Sequence, residues 1–95
     1  SKSALVGGAK ALALELANKG IRVNCISPGT LGDTAMTDNL KKDLSPEEFM
    51  KIKSKYPMDL GSTKDVAALS IFLLSEESKW ITGQNIVIDG GYSCQ

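Results

Sequence analysis

The sequence contains no histidine, only two cysteines and few aromatic residues, which make up 5% of the chain. Without a histidine to join them, Cys25 and Cys94 complete none of the common zinc-ligand spacings, so no metal site is expected. Cys25 falls in an apolar segment and is predicted to be a small core residue, whereas Cys94 is expected to lie in a frayed end. Two unpaired thiols favour a reducing compartment, so a cytoplasmic location is expected.

An excess of either charge is also missing. The 11 basic and 11 acidic side chains cancel, and they are dispersed along the chain rather than grouped. This pattern argues against a nucleic-acid-binding or membrane-binding surface, so neither partner is expected. No apolar run reaches the length that spans a bilayer. The sequence also has no initiator Met and no signal-peptide pattern, and Ser1 is expected to follow an internal cut in a longer chain.

Apolar residues at helical spacing predict the first element, a helix over residues 3–19. Its main stripe consists of Leu5, Ala9, Leu12, Ala13 and Leu16. The opposite side is small or apolar as well, so both faces of the helix are expected to be covered. Gly7 and Gly8 each cost about 1 kcal/mol in a helix interior, which is tolerable where another segment packs close to the backbone. Gly20 is predicted to end the helix as its C′ glycine.

Strand periodicity follows at residues 21–26, and Pro28 and Gly29 are predicted to stop that strand. A second short strand is predicted over residues 85–89. The segment between them is predicted to be irregular over residues 30–43, with one short helical turn at 37–40. Two capped helices then follow. Their start signals are Ser45-Pro46 with Glu48 at N3, in a helix ending before Pro57, and Ser62 with Asp65 at N3. The second helix is expected to bury a stripe of Val66, Leu69, Leu73, Ala67, Ser70 and Leu74.

A strand, a crossover and a second strand in one sheet are expected to run parallel. A sheet of two parallel strands is not stable by itself, because parallel strands need neighbours and cover on both faces. The sequence therefore predicts an α/β fold that forms part of a larger doubly wound, Rossmann-like sheet. Two parallel strands and about four helices of that fold are present.

Several short motifs, taken in order, resemble the C-terminal signatures of the short-chain dehydrogenase/reductase family. They are Ser1-Lys2-Ser3-Ala4, Ile21-Arg22-Val23-Asn24, Ser27-Pro28-Gly29 and Ile81-Thr82-Gly83-Gln84 followed by Asp89-Gly90-Gly91. The resemblance covers essentially all of the chain. It implies that residues 1–95 are the C-terminal portion of a single Rossmann-like domain, with a substrate-loop segment at about residues 30–61.

The resemblance also implies site residues. Lys2 matches the lysine of the family's Tyr-x-x-x-Lys helix, where it is catalytic and also binds the cofactor, and the matching tyrosine falls before Ser1. Pro28, Gly29, Leu31 and Thr34 match the turn that meets the nicotinamide. Gly32-Asp33 resembles an insertion into that turn, so Thr30 or Thr37 could take the place of Thr34. Asp89-Gly90-Gly91 is most simply a turn.

The function implied by this resemblance is that of an oxidoreductase using NAD or NADP. Such an enzyme transfers hydride between the nicotinamide and a carbonyl or secondary alcohol of a small molecule. A homodimer or homotetramer is expected. The alternative is a catalytically inactive piece that serves as a structural or oligomerisation module. The isolated chain is expected to be inactive in either case, because it lacks the tyrosine and the glycine-rich turn that binds the pyrophosphate.

Overall fold

The computed structural model describes residues 1–95 and contains four α-helices and two strands. In chain order these are α1 (Lys2–Leu16), β1 (Cys25–Pro28), α2 (Ala35–Asp43), α3 (Pro46–Ser54), α4 (Thr63–Leu74) and β2 (Asn85–Ile88). Single 3-10 turns follow α1, α4 and β2 at Ala17–Lys19, Glu76–Ser78 and Tyr92–Cys94. The predicted α/β class is confirmed, with two strands and four helices.

The two strands lie side by side in one sheet. The Cys25 N–H donates to the Gln84 carbonyl at 2.8 Å, and the Gly29 N–H donates to the Ile88 carbonyl at 2.9 Å. Both strands therefore advance by four residues in the same direction between these bonds, so they are parallel. The prediction from the crossover is confirmed.

The first strand begins later than predicted, at Cys25 rather than at Ile21. The Val23 N–H donates to the Thr82 hydroxyl at 3.1 Å. The Val23 carbonyl accepts from the Gly83 N–H at 2.7 Å. These bonds tie Val23 to the turn before β2 instead of to a ladder, so alternation over residues 21–24 was a false strand signal. Pro28 is the last strand residue.

Helix α1 begins one residue earlier than predicted, because the Ser1 hydroxyl caps it by accepting from the Ala4 N–H at 3.3 Å. The α-helix ends at Leu16, earlier than predicted, and a 3-10 turn continues to Lys19. The predicted terminating glycine is confirmed, since Gly20 takes the left-handed conformation with φ 72°. The predicted stripe is partly wrong for this chain. The covered positions are Val6, Ala9, Ala13 and Leu16, whereas Leu5, Leu12 and Leu14 are exposed. A Cβ added to Gly7 or Gly8 would meet nothing within 4 Å, so no other segment of this chain packs against these two glycines. The close approach is at Ala13, whose Cβ would lie 3.5 Å from a Cβ added to Gly83.

Helix α2 was predicted as one turn but extends over nine residues. Thr34 is its N-cap, and the Thr34 hydroxyl accepts from the Thr37 N–H at 3.3 Å. Lys41 and Lys42 lie in the last turn, where positive charge favours the helix dipole. The segment has few apolar residues, so apolar periodicity gives little sign of this helix. Its cap and the charges at its ends define it instead.

Both later helices start where the sequence predicts. At α3, the Ser45 hydroxyl accepts from the Glu48 N–H and the Glu48 carboxylate accepts from the Ser45 N–H, each at 3.1 Å. The helix ends before Pro57. At α4, the Asp65 carboxylate accepts from the Ser62 N–H at 2.9 Å. The covered positions of α4 are Val66, Leu69, Ser70 and Leu73; Ala67 and Leu74 are exposed, which corrects the predicted stripe.

The chain divides into two compact units, one of residues 1–27 with 68–86 and the other of residues 28–67 with 87–95. Ala13, Leu73 and Ser78 are the buried residues of the first unit, and Thr37 is the buried residue of the second. Cys25 is half-buried rather than a full core residue, and Cys94 lies in the last 3-10 turn rather than in a frayed end. None of the helices is long and apolar enough to cross a membrane.

Candidate functional site

Lys2, the predicted catalytic residue, lies in the first unit as the first residue of α1, directly after the Ser1 cap. It is exposed, and its ammonium forms no hydrogen bond or ion pair within the chain. Lys10 on the same helix differs, because its ammonium donates to the Gly83 carbonyl at 3.1 Å. Lys10 therefore has a structural role, whereas the Lys2 ammonium remains available to another group.

The other four predicted site residues lie in the second unit, at the last residue of β1 and in the segment that follows it. Gly29 is closely enclosed there. A Cβ on Gly29 would lie 2.9 Å from the Asp89 Cβ and 2.9 Å from the Tyr56 Cε1, both shorter than real Cβ contacts. Glycine is therefore required at this position for steric reasons, and the residue directly after Pro28 has no side chain.

Tyr56 holds the next residue of this segment. Its hydroxyl oxygen accepts from the Thr30 N–H at 3.0 Å and shares a second hydrogen bond with the Thr30 hydroxyl at 2.8 Å. The Tyr56 ring also stacks on the Tyr92 ring, with the ring centroids 4.7 Å apart and the planes inclined by 29°. Sequence reasoning missed Tyr56. No local signal points to it, because its partner Thr30 is 26 positions away.

Leu31 pairs with Gly61 in an isolated parallel bridge. The Gly61 N–H donates to the Thr30 carbonyl at 3.2 Å, and the Gly32 N–H donates to the Gly61 carbonyl at 2.8 Å. The peptide groups of Leu31 itself therefore point away from Gly61. The Leu31 carbonyl accepts from the Thr37 hydroxyl, while the Leu31 N–H has no acceptor within the chain. A backbone donor is thus available three residues after β1.

The three candidate threonines differ in their surroundings. Thr37 is 2% exposed, and its hydroxyl is bound to the Leu31 carbonyl. The Thr30 hydroxyl is bound to Tyr56. Thr34 is half-buried, and its hydroxyl donates to the Thr37 hydroxyl at 3.2 Å while it caps α2. Having accepted one hydrogen bond, the Thr34 oxygen keeps a second acceptor position.

Gly32-Asp33, the predicted insertion, has a structural role. The Asp33 carboxylate accepts from the Thr63 N–H at 2.9 Å and from the Thr63 hydroxyl at 2.8 Å. These hydrogen bonds favour the charged form, so they hold the pKa of Asp33 below its ordinary value. Asp33 therefore joins the loop to the first residue of α4.

Two of the motifs that carry the family resemblance contact each other within the first unit. The Arg22 guanidinium donates to the carbonyls of Ile81 and Ser75 at 3.2 and 3.1 Å. The Asn24 amide donates to the Ile81 carbonyl at 3.1 Å and accepts from the Gln84 N–H at 3.0 Å. Side chains of the first motif thus satisfy backbone groups of the second, and the Thr82 hydroxyl in turn accepts from the Val23 N–H. These contacts stabilise the turn before β2.

Comparison with known proteins gives matches along nearly the whole chain. A family model described as Enoyl-(Acyl carrier protein) reductase matches residues 1–93. The 3-oxoacyl-(acyl-carrier-protein) reductase FabG of Buchnera aphidicola subsp. Schizaphis graminum is 46% identical over 92 residues, which cover 96% of this chain and 36% of that protein. The chain therefore spans about a third of the length of this curated relative.

Solved structures agree with this match. A short chain dehydrogenase family protein from Francisella tularensis subsp. tularensis SCHU S4 is 39% identical with a TM-score of 0.87, over 99% of this chain and 42% of that one. A 4-hydroxyisoleucine dehydrogenase complexed with NADH is 36% identical with a TM-score of 0.85, over 99% of this chain and 38% of that one. Sequence motifs, strand register and these matches agree, and the chain belongs to the short-chain dehydrogenase/reductase family.

Proposed function

We propose that the whole protein is an oxidoreductase that uses NAD or NADP. It transfers hydride between the nicotinamide and a carbonyl or secondary alcohol of a small molecule. The observation that carries this proposal is the Leu31 N–H, which has no acceptor in the chain and follows the Pro28-Gly29 turn. This turn lies at the carboxyl end of a parallel strand, which is where α/β sheets bind ligands. Family membership and the NADH complex of a similar protein add support.

The residues fit the nicotinamide end of such a cofactor. A nicotinamide carboxamide has one carbonyl acceptor and one amide donor. The Leu31 N–H matches the acceptor, and the remaining acceptor position of the Thr34 hydroxyl matches the donor. Gly29 adds no side chain to the Pro28-Gly29 turn, so the backbone of this turn can lie close to the ring. The bound cofactor would supply or accept the hydride, and these four residues would orient its ring.

Lys2 is proposed to act on the proton transfer. The family's proton donor is a phenol, whose ordinary pKa of about 10 is poorly matched to neutral pH. A positive charge about 4 Å away stabilises the phenolate by about 4 kcal/mol at an effective dielectric constant of 20, and so lowers the phenol's pKa. The exposed, unpaired ammonium of Lys2 can supply this charge and still donate to ribose hydroxyls. The surroundings of Lys2 in the structure are those of any solvated lysine at the start of a helix. The catalytic role proposed for it is supported by the family match.

The protein is also proposed to form a homodimer or homotetramer through α1. On one side of α1, Leu14 is 83% exposed in the single chain, Ala11 is exposed as well, and the space beside Gly7 is open. Proteins rarely leave such a continuous apolar face bare. This face equally supports the alternative, a structural or oligomerisation module without activity. The cytoplasmic location expected from the unpaired cysteines belongs to the same proposal.

The two functions are separated by assays on the whole protein. Binding of NADH and NADPH is measured first, and nucleotide consumption is then followed with a panel of ketones and secondary alcohols. An enzyme consumes nucleotide only when a suitable substrate is present. A purely structural module assembles into a defined oligomer but neither binds nor consumes nucleotide, and that result would reject the proposed enzyme. The 95-residue chain alone is proposed to be inactive, because it has no glycine-rich turn for the pyrophosphate.

A further inference from the structure

We infer that Tyr56 is a positioning residue for the cofactor turn. Its hydroxyl fixes Thr30, and through Thr30 it sets where the Leu31 N–H lies and how tightly a nicotinamide dinucleotide binds. The inference rests on the proposed function, since it assumes that this turn meets the cofactor. Tyr56 itself needs no contact with the cofactor.

The hydrogen bonds around Thr30 show why a side chain is needed. The strand ladder ends when the Gly29 N–H donates to the Ile88 carbonyl at 2.9 Å. The Thr30 carbonyl is bound to the Gly61 N–H, but no backbone carbonyl accepts from the Thr30 N–H. The Tyr56 hydroxyl accepts from that N–H at 3.0 Å instead. It therefore replaces a ladder bond at the point where the chain leaves the sheet.

The Tyr56 ring is fixed on two sides. On one side its edge lies against Gly29, where a Cβ would be 2.9 Å from the Cε1 atom. On the other side it stacks on Tyr92 at 4.7 Å between centroids. Tyr56 is half-buried, so the ring has little freedom to move its hydroxyl away from Thr30. A fixed hydroxyl holds Thr30, and the adjacent Leu31 peptide is held with it.

Tyr92 offers a matched control. The Tyr92 hydroxyl forms no hydrogen bond within the chain, and Tyr92 belongs to the same stacked pair. Tyr56→Phe and Tyr92→Phe therefore remove the same atom from the same pair of rings. Only the first substitution removes the hydrogen bonds to Thr30 and leaves a half-buried N–H without an acceptor.

The experiment uses the whole protein as wild type and as these two variants. Hydrogen exchange of the Thr30 amide is measured without nucleotide, and dissociation constants are measured for NADH and NADPH. For Tyr56→Phe we expect faster exchange at Thr30 and nucleotide binding weakened about tenfold, with kcat at saturating nucleotide unchanged. For Tyr92→Phe we expect no change in either measurement. An unchanged kcat separates positioning from a general loss of folded enzyme.

Two results would overturn the inference, and they differ in what they say of the function. If the wild type binds nucleotide and Tyr56→Phe binds it as tightly as Tyr92→Phe does, the positioning role is wrong and the proposed function stands. If the wild type binds neither nucleotide, the proposed function is wrong and the inference fails with it.

Thr30→Val serves as a second variant should Tyr56→Phe be unstable, because it removes the hydroxyl partner of Tyr56. We expect Thr30→Val to weaken nucleotide binding about threefold, and unchanged affinity would count against the inference.

Discussion

The Asp33 carboxylate lies at the start of α4, where it accepts from the Thr63 backbone N–H at 2.9 Å and from the Thr63 hydroxyl at 2.8 Å. Because Thr63 is the first residue of α4, this negative charge also faces the positive end of the helix dipole. Asp33 follows Leu31 by two residues. The loop that carries the free Leu31 N–H is therefore held by Tyr56 on one side and by Thr63 on the other.

Replacing Asp33 with alanine should destabilise the protein at neutral pH. The Thr63 N–H loses its acceptor, and α4 loses its capping charge. We expect a lower urea midpoint at unchanged slope. Asp43→Ala is the matched control, because Asp43 is an exposed aspartate with no hydrogen bond from a neighbouring helix. Equal midpoints for the two variants would show that the contact with Thr63 contributes nothing measurable.

The contribution of Asp33 should also depend on pH. Hydrogen bonds from Thr63 lower the pKa of Asp33 in the folded state, so the folded protein binds a proton there less readily than the unfolded chain does. The resulting stabilisation is complete above the ordinary aspartate pKa of about 3.9 and is lost as the pH falls through the lower folded-state pKa. The difference in urea midpoint between wild type and Asp33→Ala should therefore be constant from about pH 7 to pH 5 and shrink below about pH 4. A difference that persists unchanged in acid would contradict this assignment.

Gly29→Ala should destabilise the protein by about 1–3 kcal/mol, the usual cost of forcing extra atoms into a packed site. The added Cβ would lie 2.9 Å from the Tyr56 ring and 3.2 Å from the Asp89 Cα, and backbone cannot move aside cheaply. Gly32→Ala is the control in the same loop, since its Cβ would meet its nearest neighbour at an ordinary 3.5 Å. Chemical denaturation measures both variants. A Gly29→Ala protein as stable as Gly32→Ala would mean that the turn relaxes without cost.

The parts of the fold that the sequence predicted well are those with local signals. The capping box of Ser45 and Glu48, the left-handed Gly20 and the second strand each depend on residues close together in sequence. The predictions failed where distant residues decide. Residues 21–24 alternate like a strand, yet Thr82 and Gly83 take up the hydrogen bonds of Val23.

The candidate site divides in the same way. Lys2 and the Pro28-Gly29 turn could be assigned from motifs, and those assignments stay predictions. Tyr56 and Asp33 could not be found, because their partners are 26 and 30 positions away and neither belongs to a motif. The exposed Leu5 and Leu14 of α1 show a further limit, since apolar spacing predicts that a face is covered but not by which segment.

Lys2→Ala in the whole protein should lower kcat about a hundredfold or more, in the range typical of lost acid–base assistance. The fold should be unaffected, because the Lys2 side chain is exposed and forms no hydrogen bond or ion pair within the chain. Lys19→Ala is the control, an exposed lysine in the 3-10 turn that follows α1. Thermal melts should agree for both variants and the wild type. Near-normal turnover by Lys2→Ala at neutral pH would remove Lys2 from the catalytic site.

Ala11→Glu should shift the whole protein from a dimer or tetramer toward smaller species. Ala11 is exposed on the same side of α1 as Gly7 and Leu14, so a second copy packed on that side would bury the new carboxylate. A buried carboxylate without a partner is costly, and the protein can avoid the cost by dissociating.

Asn39→Glu is the control for Ala11→Glu, since it adds the same charge at an exposed, polar position of α2. Light scattering gives the mass of each species, and circular dichroism checks that α1 remains helical. We expect the mass to fall for Ala11→Glu and to stay unchanged for Asn39→Glu. A wild type that is already monomeric, or an Ala11→Glu variant of unchanged mass, would show that this face of α1 is covered by something other than a second copy.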